Sequence, residues 1–523
     1  MNPVLEKEPD VLDAILVKAD ALYASGHERD AREAIGSAER AIATLHLSDN
    51  SRAAMQTRAA HAEIFGKPEE AAKAFTALTE RYPDEPANWL RLARARFMSG
   101  AYPEALTACD TAVGLDPSNP RSQLLRGRIL ARAGRKTESN TAFAKAQTLW
   151  EVIGGSAGAA EIASVRAWAA YIAADYPAAQ QGYSTANRAF ADAKLDVRAA
   201  ISSKQEGDAL LMQWKANEAE QRYNAAIPVL RQGGCHYEIT SALGSLSALQ
   251  FRLGRVKDAE RTRMDALDEA TLLDNAELRL QQIINLAVLL NLTGRTREAR
   301  ERASEALKMA DERHDENSAF YARLQQASAD YREGRFTLAA AEQARLAEGC
   351  HADLVGHNQA LYALQDRVIT LLAADDREGS VGAAEQAVPV ARATGDAGRL
   401  LTTLSLRAIA RARAGDPADA EPDLAEARKL LAGQEDIPDL HLIVRYAEGE
   451  QDLAEKKWAR VASRPEPDRA VQSAWLVPLI VQRSVALKAL GQDAESGRLA
   501  REVASHPWAT ASERGIAQAL IGH

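Results

Sequence analysis

Arginines are the residues of this chain whose type and spacing most readily suggest chemistry. Between positions 86 and 136 stand Arg91, Arg94, Arg96, Arg121, Arg126, Arg128, Arg132, Arg135 and Lys136, against only Glu104, Asp110 and Asp116. That segment carries +6 in a chain of net charge −9, which leaves −15 on the remainder. A guanidinium presents a rigid fork of donors that matches a carboxylate or a phosphate. Anion binding is therefore the chemistry the cluster suggests. The plainer alternative is a solvated helical face.

Other reactive constellations are weaker. Gly154-Gly155-Ser156-Ala157-Gly158 matches G-x-S-x-G, which makes a nucleophile only where a strand leads in and a helix leads out. The preceding TAFAKAQTLWEVI reads as helix, so the match is expected to be a connection between helices. Cys235-His236 and Cys350-His351, with His357 nearby, invite a metal reading. Adjacent helical residues point apart, and the spacing places no fourth ligand. The three cysteines, Cys109, Cys235 and Cys350, lie more than a hundred residues apart without any CxxC, which suits reduced thiols. No HExxH, P-loop, dinucleotide fingerprint or EF-hand loop is present. The expectation is a non-enzymatic protein with no catalytic residue, no cofactor and no metal.

The elements that position these residues follow from a repeat. A turn residue is followed five positions later by a small one at Gly26/Ala31, Gly66/Ala71, Gly100/Ala105, Gly134/Ser139, Ala174/Ala179, Trp214/Ala219, Gly254/Ala259, Gly294/Ala299 and Gly334/Ala339. The steps are 40, 34, 34, 40, 40, 40, 40 and 40. Fixed periods of this size mean stacked units, each packing on its neighbours. In the unit 86–119, Trp89, Leu92, Ala93 and Phe97 form one helical stripe, and Tyr102, Ala105, Cys109 and Ala112 form a second. Gly100 ends the first helix, and Asp116-Pro117 closes the unit. Ala105 and Ala299 are expected to be buried where two helices touch.

Composition agrees. Aromatic residues make up only 5% of the chain while 46% is hydrophobic, which favours closely stacked helices over a sandwich. Long alternating Val/Ile/Thr runs are missing. The negative charge disfavours nucleic acid as a partner. The N-terminus lacks a signal-peptide core, and the longest apolar stretch, from Ala474 to Val481, is far short of a spanning helix. The expected location is cytoplasmic, without a membrane partner.

The unit 86–119 resembles a tetratricopeptide repeat (TPR) through Trp89, Leu92, Ala93, Ala105, Ala112 and Pro117. Its neighbours carry Gly66, Ala71, Phe75 and Pro83, and Gly127, Gly134, Phe143 and Ala146, at matching places. Arg96 and Arg126 depart from the pattern, standing in slots that are usually apolar. From about 154 the units lengthen to 40 residues, and the extra six are expected in the second helix or its connection. Turn candidates continue at Gly379/Ala384, Gly415/Ala420, Gly449/Ala454 and Gly491. The resemblance implies an all-α solenoid, a right-handed superhelix of about 12–13 antiparallel helix pairs. The parts are an N-terminal extension (1–11), units mainly of 34 residues (12–153), units of 40 residues (154–350), and divergent units with a C-terminal cap (351–523).

In that family the first helix of each unit lines a concave groove. The groove is then expected to hold Arg91, Arg94, Arg128 and Arg132 with Phe97, Trp168 and Tyr171. An aromatic slot three residues before the turn, filled by Tyr23, Phe97, Tyr171, Phe251 and Tyr331, belongs to the same side. Glu63, Ala131, Leu211 and Asn291 fill it in the intervening units. The implied function is an interaction scaffold that binds a peptide or partner segment, one with acidic groups if the arginines are its floor. The competing reading is a ligand- or peptide-responsive sensor that acts on a separate output partner. If the arginines are merely solvated, the binding surface falls to the acidic 40-residue units. Partner identity and oligomeric state are not encoded in these patterns.

Overall fold

The computed structural model describes residues 10–154, 156–213, 215–273, 275–350, 354–432, 437–468 and 473–522. Among the described residues the regular structure is entirely helical, in 27 helices. They are α1 (Asp10–Ser25), α2 (Glu28–Thr44), α3 (Arg52–Ile64), α4 (Pro68–Arg81), α5 (Pro86–Met98), α6 (Tyr102–Leu115), α7 (Pro120–Arg132), α8 (Lys136–Ile153), α9 (Ser156–Ile172), α10 (Tyr176–Asp192), α11 (Asp196–Met212), α12 (Ala216–Gly233), α13 (His236–Arg252) and α14 (Val256–Leu272). They continue with α15 (Ala276–Leu292), α16 (Thr296–Glu312), α17 (Glu316–Arg332), α18 (Phe336–Glu348), α19 (Leu354–Ala373), α20 (Arg377–Thr394), α21 (Ala397–Ala414), α22 (Pro417–Leu431), α23 (Pro438–Ala454), α24 (Trp458–Ser463), α25 (Leu476–Ala489), α26 (Asp493–Ser505) and α27 (Ala511–Ile521). Consecutive helices pair antiparallel and stack as a TPR-type solenoid. None of them is long and apolar enough to cross a membrane.

The turn-and-small-residue pattern positions these pairs. Gly26, Gly66, Gly100, Gly134, Gly254, Gly294 and Gly334 all take positive φ, and Ala174 does so where glycine is missing. Trp214 lies outside the described residues, as do Gly155 and His351. Five residues on, Ala31, Ala71, Ala105, Ser139, Ala179, Ala219, Ala259, Ala299 and Ala339 are all buried. A side chain of this size lets two helices approach to the 8–10 Å of close packing.

Two later turn candidates are misplaced. Gly379 sits in the first turn of α20, where its N–H is bonded by Asp376, and Gly449 sits inside α23. The turns themselves fall at Asp375 and Lys456, both at positive φ, with buried Ser380 and Val461 five residues later. Aspartate visits the left-handed region more readily than most residues, and one such residue per turn is tolerated even for lysine. Gly449 serves a different purpose: a Cβ there would meet the side-chain amide of Gln482, which would have to give up its present position. Gly415/Ala420 and Gly491 stand where expected.

The lengthening of the units also differs from expectation. In the 34-residue unit α5 has 13 residues and α6 has 14, whereas α15 and α16 have 17 each. Both helices grow by about one turn, rather than the second alone.

Backbone contacts divide the chain into two units: the described residues of 1–243 with 272–275, and those of 244–271 with 276–523. In the first unit the α1–α2 turn meets the α12–α13 turn, where the Cys235 thiol donates to the Gly26 carbonyl at 2.8 Å. In the second unit the end of the chain returns to earlier helices. A Cβ on Gly294 would collide with the Pro507 carbonyl, and Arg332 bonds the Trp508 carbonyl.

Candidate functional site

The arginine cluster of the first unit holds a carboxylate already. Arg91 Nε and Nη2 donate to Glu63 Oε2 at 2.8 and 2.6 Å, and Arg94 Nε donates to Glu63 Oε1 at 2.6 Å. Arg91 Nη1 also reaches Asp20 at 2.9 Å. Burial pushes the Glu63 carboxyl up, but Arg94 and Arg91 outweigh it and hold the group below the usual carboxylate range. Arg128 lies 5.2 Å from the Phe97 ring and 5.1 Å from the Trp168 ring, which are themselves edge-on at 6.0 Å. Burial pulls the Arg128 guanidinium down, and its Nε is buried without a hydrogen-bond partner. Arg132 is exposed, with Nε on the Tyr102 hydroxyl at 3.3 Å. Tyr171 packs on Tyr176 at 5.6 Å. Two small assemblies result: Arg91 and Arg94 around Glu63, and Arg128 between Phe97 and Trp168.

The reactive-looking motifs take structural places. Ser156 opens α9, and the element before it is the helix α8, so the strand that a nucleophile elbow needs is not there. Cys235 is buried, and burial pushes its thiol up to about 12. Cys350 donates to the Leu346 carbonyl at 3.2 Å. Among the described residues no group of three or more His, Cys, Asp and Glu side chains is placed to hold a metal ion.

The second unit contains a cavity of about 800 Å³. Its wall follows helical spacing along three successive first helices: Ile284, Val288 and Asn291 of α15; Tyr321, Ser328 and Tyr331 of α17; Tyr362, Asp366 and Ile369 of α19. Arg413, Tyr446, Glu450 and Trp475 continue it, and Trp508, Thr510, Glu513 and Ile516 come from the C-terminal end. Gln343 is the α18 member of the wall.

Polar groups converge on this space. Arg413 Nε donates to Glu450 Oε2 at 2.5 Å and its Nη2 to the Tyr446 hydroxyl at 2.8 Å. Gln482 Nε2 holds the other Glu450 oxygen at 2.6 Å, an approach that Gly449 makes room for. Thr510 N and Oγ1 both donate to Glu513 Oε2, at 2.7 and 2.9 Å, in a capping box that starts α27. Burial pushes the Glu513 carboxyl up against those bonds. Asp366 accepts from Ser328 Oγ at 3.1 Å, and burial pushes its carboxyl up to about 6. Asn291 Nδ2 donates to the Gln325 carbonyl at 2.9 Å and to its side-chain oxygen at 3.2 Å. At one end Arg399 stacks 4.7 Å from the Tyr362 ring and bonds its hydroxyl at 2.9 Å, while Tyr362 meets Tyr321 at 6.1 Å. An apolar body with a few convergent polar groups is the usual form of a ligand site, and the volume lies within the usual span of roughly 300–1,000 Å³.

Residues 65–120 match the tetratricopeptide repeat. That segment runs from the end of α3 to the start of α7, across the units with 34-residue spacing. No curated protein matches the chain in sequence. Among solved structures, the chain is similar to a Rap protein complexed with Competence and Sporulation Factor, at 13% identity and a TM-score of 0.43, over 74% of this chain and 99% of that one. It is similar to the apo form of RapI at 10% identity and a TM-score of 0.49, over 67% and 96%. A signal-transduction ATPase with numerous domains and a tetratricopeptide repeat sensor, from Pyrococcus horikoshii, aligns at 13% identity and a TM-score of 0.40, over 74% and 54%.

Tetratricopeptide logic accounts for what the sequence reading missed. Glu63 and Tyr331 occupy the same slot, three residues before a turn glycine, and so does Asn291. The partner of Arg91 and Arg94 was legible there, as a carboxylate where other units carry an aromatic ring. The cavity was signalled only by the acidic balance outside 86–136. Asp366 and Glu513 lie beyond Gly334, where the turn pattern loosens.

Proposed function

We propose that this chain is a non-enzymatic interaction protein whose recognition site is the inner cavity of the second unit. The observation that carries this reading is the row of wall residues from α15, α17 and α19, which present polar and aromatic groups to one space of about 800 Å³. A peptide or partner segment inserted there would bury apolar surface against Ile284, Val288 and Ile369 and find polar partners on each helix. The arginine groove of the first unit is the lesser candidate, because Arg91 and Arg94 are already committed to Glu63.

A sensor role is the second reading, favoured by the way the cavity is closed. Its wall includes the C-terminal residues Trp508 to Ile516, which return to α15 and α17 through Pro507 and Arg332. An occupant that touches α27 would shift the balance between closed and open forms of that segment by its differential affinity for them. Selection from a random heptapeptide library against the full chain tests the site. Selected peptides should lose binding to Val288→Trp, a variant whose indole obstructs part of the cavity while circular dichroism stays helical. Peptides that bind the variant and the parent equally would place recognition elsewhere.

A further inference from the structure

We propose that the cavity of the second unit accepts a cation: a ligand that presents a guanidinium or alkylammonium group to Asp366 and N–H donors to the acceptors around it. This rests on the reading that the cavity binds a ligand at all, and adds the chemistry of that ligand.

The charges of the wall do not balance. Three carboxylates, Asp366, Glu450 and Glu513, face two guanidiniums, Arg332 and Arg413; Arg399 stands behind Tyr362, outside the lining, and pairs with Asp396 at 3.4 Å. Arg413 is committed to Glu450, and Arg332 to the carbonyls of Trp508 and Leu292 at 2.6 and 3.3 Å. Glu513 is held by Thr510. Asp366 keeps one neutral donor, the Ser328 hydroxyl, and that hydroxyl is shared with the Leu324 carbonyl at 3.0 Å. Among the described residues no cation pairs with Asp366.

The unsatisfied atoms have the same sign. Asn291 Oδ1 and Gln343 Oε1 are the buried side-chain atoms of the described wall without a hydrogen-bond partner, and both are acceptors. Their residues are 3% and 1% exposed. Both atoms are closed to a water-sized probe, so a donor reaches them only where a wall side chain turns aside, and a buried acceptor that then gains its bond recovers more than an average hydrogen bond returns. A partly desolvated carboxylate gains similarly from a cation. Tyr331 and Tyr321 supply rings of the kind that attract cations. An anionic group would instead stand beside an unpaired carboxylate.

One chemistry has two sources here, a free organic amine or a basic side chain of a peptide. Isothermal titration calorimetry of the full chain at pH 7.5 separates them. The probes are agmatine and three end-blocked peptides, Ala-Leu-X-Leu-Ala, with arginine, citrulline or glutamate at X. The expected result is binding of agmatine, of the arginine peptide or of both; where peptides bind, arginine should be at least about tenfold tighter than its neutral citrulline twin. Agmatine alone would identify a free amine, and the arginine peptide alone a peptide. Asp366→Asn should erase the arginine-over-citrulline preference, and Val288→Trp should abolish binding. Citrulline or glutamate peptides that bind as tightly as arginine, and are lost in Val288→Trp, would overturn the cation while leaving the cavity reading intact. Silence of all four probes would also overturn it, and the library selection above would then decide the cavity reading separately. The comparison of X residues uses the parent chain, so it does not depend on the folding of any variant.

Discussion

Arg332 reaches the carbonyl of Trp508, 176 residues away in sequence, with Nη1 at 2.6 Å. Its other terminal nitrogen donates to the Leu292 carbonyl at 3.3 Å. One guanidinium thus ties the end of α15 and the segment before α27 to the end of α17. Packing on α25 and α26 holds α27, and this tie fixes the segment before it against α15 and α17.

Arg332→Ala should therefore loosen the segment before α27 rather than unfold the unit. Loss of hydrogen bonds from a charged donor is worth about 1.5–3 kcal/mol. Amide hydrogen exchange over residues 507–521 should quicken, while α15 and α17 keep their protection. Unchanged exchange over 507–521 would show that the tie contributes little.

Gly294→Ala and Gly100→Ala form a matched pair. Both glycines sit at positive φ, +77° and +82°, so both substitutions carry the left-handed penalty of about 1 kcal/mol. Around Gly100 there is open space, whereas a Cβ on Gly294 strikes the Pro507 carbonyl. Gly294→Ala should lower the melting temperature more, and should alone accelerate exchange in α27. Equal effects would count against close apposition of the turn and the C-terminal segment.

Asp366→Asn should stabilise the empty protein at neutral pH. The folded carboxyl is raised from 3.8 to about 6, so charging it opposes folding. That cost is absent below about pH 4, grows between pH 4 and 6, and is complete above. The gain from asparagine should be about 3 kcal/mol or less at pH 7.5 and should fade towards pH 4. Thermal melts of both proteins across that range check it. A gain that is flat with pH would mean that the carboxyl is not desolvated.

Glu63→Gln should act in the opposite sense. The Glu63 carboxyl lies below its ordinary 4.5 in the folded chain, so its stabilisation is present above pH 4.5 and is lost as pH falls through the folded value. At pH 7 the glutamine should cost about 1.5–3 kcal/mol through Arg91 and Arg94. The difference from the parent should shrink in acid. Denaturant titrations at pH 7 and pH 3.5 would show whether it does.

Ala105→Leu and Ala299→Leu test the stacking itself. Both alanines are fully buried where helices meet. Added methylenes there overpack the contact, typically at about 1–3 kcal/mol. Both variants should melt lower, and an unchanged melt in both would contradict the close approach of the helices.

The sequence by itself determined the class of fold and most of its punctuation. The five-residue spacing from turn to small residue predicts buried alanines from Ala31 to Ala339, because a helix hairpin admits only small side chains at that point. It failed at Gly379 and Gly449, since a left-handed turn accepts Asp375 or Lys456, and a glycine is also used for close packing, as Gly449 is against Gln482. The arginine cluster was legible as charge and Glu63 as a carboxylate in the slot three residues before Gly66, but only the packing of one unit on the next joins them. Only the tertiary structure decided which residues share a space. Asp366, Glu513 and Arg413 stand on three helices far apart in sequence, and nothing in local periodicity brings them to one cavity. Periodicity reports which face of a helix is covered. The meeting of the segment before α27 with α15 and α17, at Arg332, Gly294 and Pro507, is a long-range contact, and a repeat pattern carries no record of it.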